Sequence, residues 1–280
     1  MLAAVAVLMA VLGGLMVGAA RAAPSCAIPA DLVPPHVEGP NARDAARAVP
    51  IGGYTLATFW MPQQCKQAIR GIAAIDCARP EIHAAGLVLH GLWPDGEGRD
   101  WPQWCKPAAV LPTAVLGAHY CATPSVQQLQ HEWAKHGTCM AGFTPEHYFD
   151  RAEQLYRGIH IPDLRALSYR DQTVDSVKRA IVDANPGLRA DTFRLGVDPR
   201  GWLEEVYFCL DGNFHARTCA AEGRARGGDK VLIWRGGHAR GRDYGSRAGR
   251  RSRYGAADDR GYRSDDRFQG YPRYRSYAGN

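Results

Sequence analysis

Past Gly236 the chain stops carrying the residues from which a core is built. Residues 237–280 are dominated by Arg, Gly, Tyr, Ser and Asp, with almost no aliphatic side chains. Such a segment cannot bury enough apolar surface to offset the entropy of ordering it, so it reads as disordered. The other end is restricted too. Leu2 to Ala20 is apolar and Ala-rich, and Ala20-Arg21-Ala22 fits an Ala-x-Ala cleavage site. Residues 1–22 therefore read as a signal peptide, although no Lys or Arg precedes the apolar run; an uncleaved membrane anchor is the competing reading. Residues 23–49 are rich in Pro, Ala and charge and read as a loosely packed lead. What can fold around a core is residues 50–236, with the length and apolar content of one domain.

The same boundary changes the meaning of the charge. The tail holds eleven of the thirty-four basic residues and five of the twenty-eight acidic ones. That difference is the whole formal charge of +6, so the domain itself is balanced. Arg235-Gly236-Gly237 and Arg273-Tyr274-Arg275 interleave cations with glycine or aromatics, as RNA-binding disordered segments do. The tail is thus expected either to contact RNA or an anionic surface, or to be a solvated segment without a role.

There are eight cysteines, at 26, 65, 77, 105, 121, 139, 209 and 219, an even number with no Cys-x-x-Cys zinc spacing. They point to disulfides and hence to an oxidising compartment, periplasmic or extracellular. From the residues alone, only the short Cys209–Cys219 loop is assignable, because eight cysteines allow 105 connectivities.

Two segments carry the chemistry: His90-Gly91-Leu92-Trp93-Pro94-Asp95 and His131-Glu132-Trp133-Ala134-Lys135-His136-Gly137-Thr138. Ser125 and Gln128 match the N-cap and third position of a capping box, after Pro124. A helix from about Val126 to His136 is expected, with Gly137 as its stop. At about 100° per residue, His131, Lys135, Glu132 and His136 lie near 0°, 40°, 100° and 140°, within less than half the circumference. Leu129 and Trp133 fall on the other side, to anchor the helix. The bland alternative is a solvated charged face. Residues 84–89 form an apolar run ending at His90, consistent with a buried strand that Gly91 and Pro94 then break. His90 would stand at that strand's end, where sites are often built. A lone histidine there is more often a satisfied core residue, and the second cluster lowers that prior. Three histidines, a carboxylate and a lysine make a proton-transfer set with an anion binder, suited to cleaving a phosphodiester without a metal.

HGLWPD at 90–95 and HEWAKHGTC at 131–139 resemble the two signature segments of the ribonuclease T2 family, in the family's order. The weaker likeness extends from about Gly52 to Trp234. It includes Tyr54–Trp60 as an early strand, Glu205–Asp211 as a late one and Asp229–Trp234 as the closing strand. The resemblance implies a metal-independent endoribonuclease that cuts single-stranded RNA through a 2′,3′-cyclic phosphate. It implies His136 as base, His90 as acid, His131 as phosphate binder, and Glu132 and Lys135 as stabilisers of the pentacovalent state. Imidazole suits both proton transfers because it titrates near working pH. Glu132 would either hydrogen-bond while protonated or orient Lys135 and His136. DNA, lacking the attacking 2′-hydroxyl, should not be cut.

The resemblance also implies the bridges Cys65–Cys77, Cys105–Cys139 and Cys209–Cys219, leaving Cys26 and Cys121 to pair. Base recognition is expected from Trp93, exposed by the turn after His90, and from Asp95, which matches a family position contacting the base 5′ to the cut. A carboxylate there would favour adenine. Trp101 or Trp104 is the candidate second wall, each also readable as ordinary packing. Many family members carry an aromatic at 128 where this chain has Gln128, which puts the base site 3′ to the cut in doubt.

Helices are further expected at Glu146–Arg157 and Asp171–Asp183. Together these imply an α+β fold, a mainly antiparallel central sheet with flanking helices in a disulfide-stabilised single domain. No cofactor is called for, and a monomer is expected. Two other functions compete. A zinc peptidase would need a histidine at i+4 from His131, where this chain has Lys135, a poor ligand, with His136 at i+5. A catalytically inactive T2-like RNA-binding or interaction protein would not need His90, His131, Glu132, Lys135 and His136 all present.

Overall fold

The computed structural model describes residues 29–30, 32–67, 77–79, 82, 85–220 and 226–236. The expected signal peptide, the tail 237–280 and the Cys26 half of the Cys26–Cys121 pair lie outside these. Among the described residues no helix is long and apolar enough to cross a membrane.

Four segments build the main sheet. Strands β1 (Ile51–Trp60), β2 (Leu87–Gly96), β4 (Phe193–Val197) and β5 (Leu203–Leu210) lie in the order β2-β1-β5-β4. Every neighbouring pair is antiparallel. A small second sheet pairs β3 (Gln172–Thr173) with β6 (Lys230–Val231). The expected closing strand is thus shorter than Asp229–Trp234, and continues only as a parallel bridge from Trp202 to Leu232. Helices α1 (Met61–Gln67), α2 (Thr113–His119), α3 (Val126–Lys135), α4 (Pro145–Arg157), α5 (Leu164–Leu167) and α6 (Val174–Ala184) accompany the sheet. The α+β architecture is the one expected.

Strand pairing fixes which side chains share a face. The register sets Ala57 opposite Gly91 and Tyr207, Phe59 opposite Val88 and Glu205, and Thr55 opposite Trp93. Successive side chains point to opposite faces, so Phe59, Ala57, Trp93, Glu205 and Tyr207 share one. Leu56, Trp60, Leu89, Leu92, Val206 and Phe208 share the other, where they join Val126, Leu129, Tyr148, Val177 and Ile181 of the helices in the main core. Burial of such side chains contributes about 1.5–3 kcal/mol each.

Strand β2 departs from expectation. It does not end at His90 but runs on through Gly91 and Pro94 to Gly96. Pro94 is tolerated because β2 is an edge strand of the sheet, where a missing N–H costs no ladder bond. Between Ala57 and Thr58 the register jumps from Gly91 to Leu89, leaving His90 as the extra residue of a β-bulge. Without the bulge, His90 and Trp93, three residues apart, would face opposite ways. With it, their rings meet edge-on at 4.8 Å.

Helix α6 begins three residues later than expected, because Thr173 caps it. The Thr173 and Ser176 side chains each accept from the other's backbone N–H. The three bridges implied by the resemblance are present: Cys65–Cys77, Cys105–Cys139 and Cys209–Cys219. No cysteine among the described residues is free. Residues 36–47 are mostly exposed, yet polar contacts tie them to α3 and the 101–105 segment, with Arg47 and Gln103 bridged backbone to backbone.

Candidate active site

Helix α3 carries four of the expected residues. Its N-cap Ser125 accepts from the Gln128 N–H, as the capping box requires. The return half of the box is missing: Gln128 is buried and turns its amide inward, donating to Glu132 Oε1 at 2.6 Å. At the other end, the Lys135 carbonyl, one of the helix's orphan acceptors, accepts from Trp104 N–H at 2.8 Å. Trp104 makes that contact with φ of 52°, a left-handed conformation that costs a bulky residue on the order of 1 kcal/mol. The Cys105–Cys139 bridge next to it ties the same segment to the turn after α3.

Glu132 is the centre of the site. Its carboxylate accepts from Gln128, lies 3.2 Å from His90 Nε2, and accepts from the Trp93 indole N–H at 2.8 Å. Gly91 permits this approach, since a Cβ there would stand 1.9 Å from Glu132 Oε2. Burial alone would raise the Glu132 carboxyl. The His90 ring, with His136 and His131 further off, outweighs burial and holds it down at about 2. Its side-chain contacts are to His90, Gln128 and Trp93.

His90 is 2% exposed and lies between two carboxylates. Nε2 faces Glu132, and Nδ1 is 2.6 Å from Glu205 Oε1. Burial disfavours its charged form, but the two carboxylates more than reverse this and raise it to about 9. Glu205, itself fully buried, also accepts from the Tyr207 hydroxyl. Sequence reading placed residues 205–211 on a strand but gave Glu205 no role. The available signal was a glutamate on the face that the register turns toward His90.

His136 is perturbed the other way. Burial pushes its ring well below the ordinary range. Glu132 opposes this, while Lys135, His131 and His90 reinforce it. Its Nδ1 is buried with no hydrogen-bond partner among the described residues. Trp93 lies between the two histidines, stacked on His136 at 5.4 Å and meeting His90 edge-on. Trp93 thus stands between the two rings, half-buried in the sheet rather than on an exposed turn. The reason is the continued strand: with no turn after His90, Trp93 stays in the sheet.

The remaining expected residues lie further out. His131 and Lys135 are the more open members, with side chains 27% and 20% exposed. His131 Nδ1 is 2.5 Å from Glu38, and Lys135 Nζ is 2.8 Å from Asp44. Of the two candidate tryptophans, Trp104 reaches this group, edge-on to His131 at 5.5 Å. Trp101 instead donates to Gln103 and lies under the Arg47 guanidinium. Asp95 is five residues along β2 from His90, about 16 Å by strand rise. It accepts from the Thr55 hydroxyl and from Arg217, and burial raises its carboxyl.

His131, Glu132 and His136 offer donor atoms within 4.8 Å of one another, a spacing that a metal ion could bridge. Both oxygens of Glu132 are already committed to His90, Gln128 and Trp93, so the carboxylate is poorly placed as a ligand.

Residues 51–219 match the model of the ribonuclease T2 family. An Aeromonas hydrophila protein named "Ribonuclease" is 30% identical over 182 residues, covering 62% of this chain and 78% of the relative. A Haemophilus influenzae protein named "Probable ribonuclease" is 26% identical over 185 residues, 62% of each chain. Among solved structures, trichomaglin, described as a novel S-like ribonuclease, superposes with a TM-score of 0.53 at 17% identity. An RNase-related protein from Calystegia sepium superposes at 0.52 and 21%. Each covers 65% of this chain and 97% of that structure, a likeness of fold. With the family's matched stretch holding both histidine segments, β1, β2, β5 and all three bridges, the chain belongs to the ribonuclease T2 family.

Proposed function

We propose that the protein is an endoribonuclease that cleaves single-stranded RNA by attack of the ribose 2′-hydroxyl, through a 2′,3′-cyclic phosphate, to 3′-phosphate ends. The observation that carries this reading is the pair of buried histidines on either side of Trp93, with His90 alone held between two carboxylates. Where neighbouring titratable groups are pushed apart, the charged one is the acid and the neutral one the base. His136, kept neutral, takes the proton of the 2′-hydroxyl. His90, kept protonated by Glu132 and Glu205, gives a proton to the departing 5′-oxygen. In the second step the roles reverse, with His90 activating water and His136 protonating the 2′-oxygen.

Glu132 in this scheme is an ionised anchor. It holds His90 charged and fixes Trp93, and through Trp93 the spacing to His136. Lys135 and His131 offer the positive charge that a pentacovalent phosphorus needs on its equatorial oxygens, worth on the order of 3 kcal/mol in such sites. For base recognition, Asp95 keeps one lone-pair direction after Thr55 and Arg217, since a carboxylate offers about four. An exocyclic amine can take it, which favours adenine on the 5′ side. The disulfides suit a compartment outside the reducing cytosol, reached through the expected signal peptide.

The test is incubation of purified protein with single-stranded RNA and with DNA, each with and without EDTA, followed by end-group analysis. RNA cleavage to cyclic-phosphate ends, insensitive to EDTA and absent on DNA, is expected. Cleavage that EDTA abolishes, or no cleavage, overturns the proposal; the latter favours an inactive RNA-binding protein.

A further inference from the structure

The lead segment lies outside the family's matched stretch, which begins at residue 51. Two of its acidic residues nevertheless reach His131 and Lys135, the more open members of the site. Glu38 Oε2 sits 2.5 Å from His131 Nδ1, while its Oε1 accepts from the Gln127 amide. The Gln127 side chain is itself tied back to the lead, accepting from His36 N–H at 2.8 Å and donating to the His36 carbonyl at 3.2 Å. Asp44 Oδ2 sits 2.8 Å from Lys135 Nζ and accepts from the Trp104 indole at 3.1 Å; its Oδ1 accepts from Gln103 at 2.6 Å. A turn presents it, with Asn41 and Asp44 hydrogen-bonded in both directions and the Asn41 side chain accepting from Arg43 and Asp44 N–H.

These carboxylates are held in their charged form. Burial would raise each, but His131 and Gln127 outweigh it at Glu38, and Lys135, Trp104 and Gln103 outweigh it at Asp44. Each therefore offers an anionic oxygen to a group on which the proposed mechanism places a phosphate oxygen. His90 and His136, at 2% and 6% exposure, lie deeper, so the His131–Lys135 side is the way in for an anion.

We infer that residues 36–47 are an internal competitor for the phosphate site: Glu38 and Asp44 occupy His131 and Lys135 in the free protein and must leave them for a phosphodiester to bind. The inference rests on the anion-binding role given above to those two side chains. Its energetic form is a bound fraction. If the strap is seated about nine-tenths of the time, the apparent affinity for phosphate is about tenfold weaker than that of the open site.

The experiment uses the full chain and its Glu38→Gln, Asp44→Asn and doubly substituted variants, with Asp183→Asn, an exposed carboxylate on α6, as the control for general charge. Binding of inorganic phosphate is measured by calorimetry, and KM and kcat on single-stranded RNA in parallel. The double variant is expected to bind phosphate about tenfold tighter, with KM falling in step, kcat within about twofold and the control unmoved. Phosphate affinity that is unchanged, weaker, or raised equally by the control overturns the inference. So does a fall in kcat with KM fixed, which would make Asp44 a positioning residue for Lys135. The phosphate readout needs no turnover, so absence of ribonuclease activity would defeat the proposed function while leaving the strap decidable. Should the variants not fold, amide exchange in the unsubstituted protein decides: saturating phosphate is expected to speed exchange at Arg47 and the Asn41–Asp44 turn, and unchanged exchange refutes the competitor.

Discussion

Replacing Glu205 by Gln should move one limb of the pH profile and little else. The carboxylate meets His90 Nδ1 at 2.6 Å, with both groups nearly solvent-free. Glutamine keeps an oxygen that can accept from Nδ1–H but removes the charge. A hydrogen bond between charged groups contributes about 1.5–3 kcal/mol, against about 0.5–1.5 for a neutral one, so the loss is about 1–2 kcal/mol. At 1.36 kcal/mol per pKa unit this is about one unit, taking His90 from about 9 to about 8. The acid must be protonated to work, so kcat/KM should change less than about twofold at pH 7 and fall about fivefold at pH 9. Glu205→Ala should do worse at every pH, since it also releases the ring and strands the Tyr207 hydroxyl. The assays are the pH dependence of RNA cleavage and, independent of turnover, an NMR titration of the His90 imidazole. An alkaline limb that stays in place in Glu205→Gln, or a loss equal at all pH values, refutes the argument that Glu205 keeps the acid charged.

Other expectations follow from the same contacts. His90→Ala and His136→Ala should each lower kcat at least about a hundredfold in single-turnover cleavage, the usual contribution of a general acid or base. For the unsubstituted enzyme, kcat/KM should fall on the acid side only well below pH 6.5, where His136 takes up its proton, and on the alkaline side through about pH 9, where His90 loses its own. Stability has its own signs. His90, raised in the folded state, contributes fully below its unfolded value near 6.5 and ceases to do so as pH rises through about 9. Glu132 contributes above about 4.5 and is lost as pH falls toward about 2, both readable from unfolding curves across pH. Removing the Cys105–Cys139 bridge as a double Ser variant opens a loop of 34 residues. That should cost about 3–4 kcal/mol and about 10 °C in calorimetry. Asp95→Asn should lower the ratio of poly-A to poly-U cleavage; an unchanged ratio removes Asp95 as a base selector.

Local signals were legible where one element sufficed. The periodicity and caps of α3 placed His131, Glu132, Lys135 and His136 on one arc, and the cysteine bridges and the α+β class were readable with the family resemblance. What could not be read depends on pairing between distant segments. The bulge at His90 exists only relative to β1, so sequence ended the strand at Gly91 and exposed Trp93. Glu205 is 115 residues from His90 and reaches it only because β1 lies between β2 and β5 in the sheet. Gln128 was assigned to a capping box of which only the Ser125 half forms, because its side chain turns to Glu132 instead. The lead, judged by composition, read as loosely packed, with no sign of what it would touch. Its partners are polar groups on α3 and at Gln103, and hydrophobicity carries no information about those.

The charges of the site explain why a closed active centre and an anionic substrate are compatible. His90 carries one positive charge between Glu132 and Glu205, so the buried set of three is net negative when both carboxylates are ionised. His136, kept neutral, adds nothing to offset it. A phosphodiester approaching that set alone would be repelled, and in a dry interior the repulsion is poorly screened. The positive charge that admits it must come from Lys135 and from His131 when protonated. In the free protein these groups already face Asp44 and Glu38. Binding is then an exchange of two carboxylates for one phosphodiester, which removes one unit of negative charge from around His131 and Lys135 and leaves neither group without an anionic partner. It follows that anything strengthening the strap should weaken binding more than it disturbs the proton-transfer pair, because Glu38 and Asp44 hold His131 and Lys135, the open members of the site.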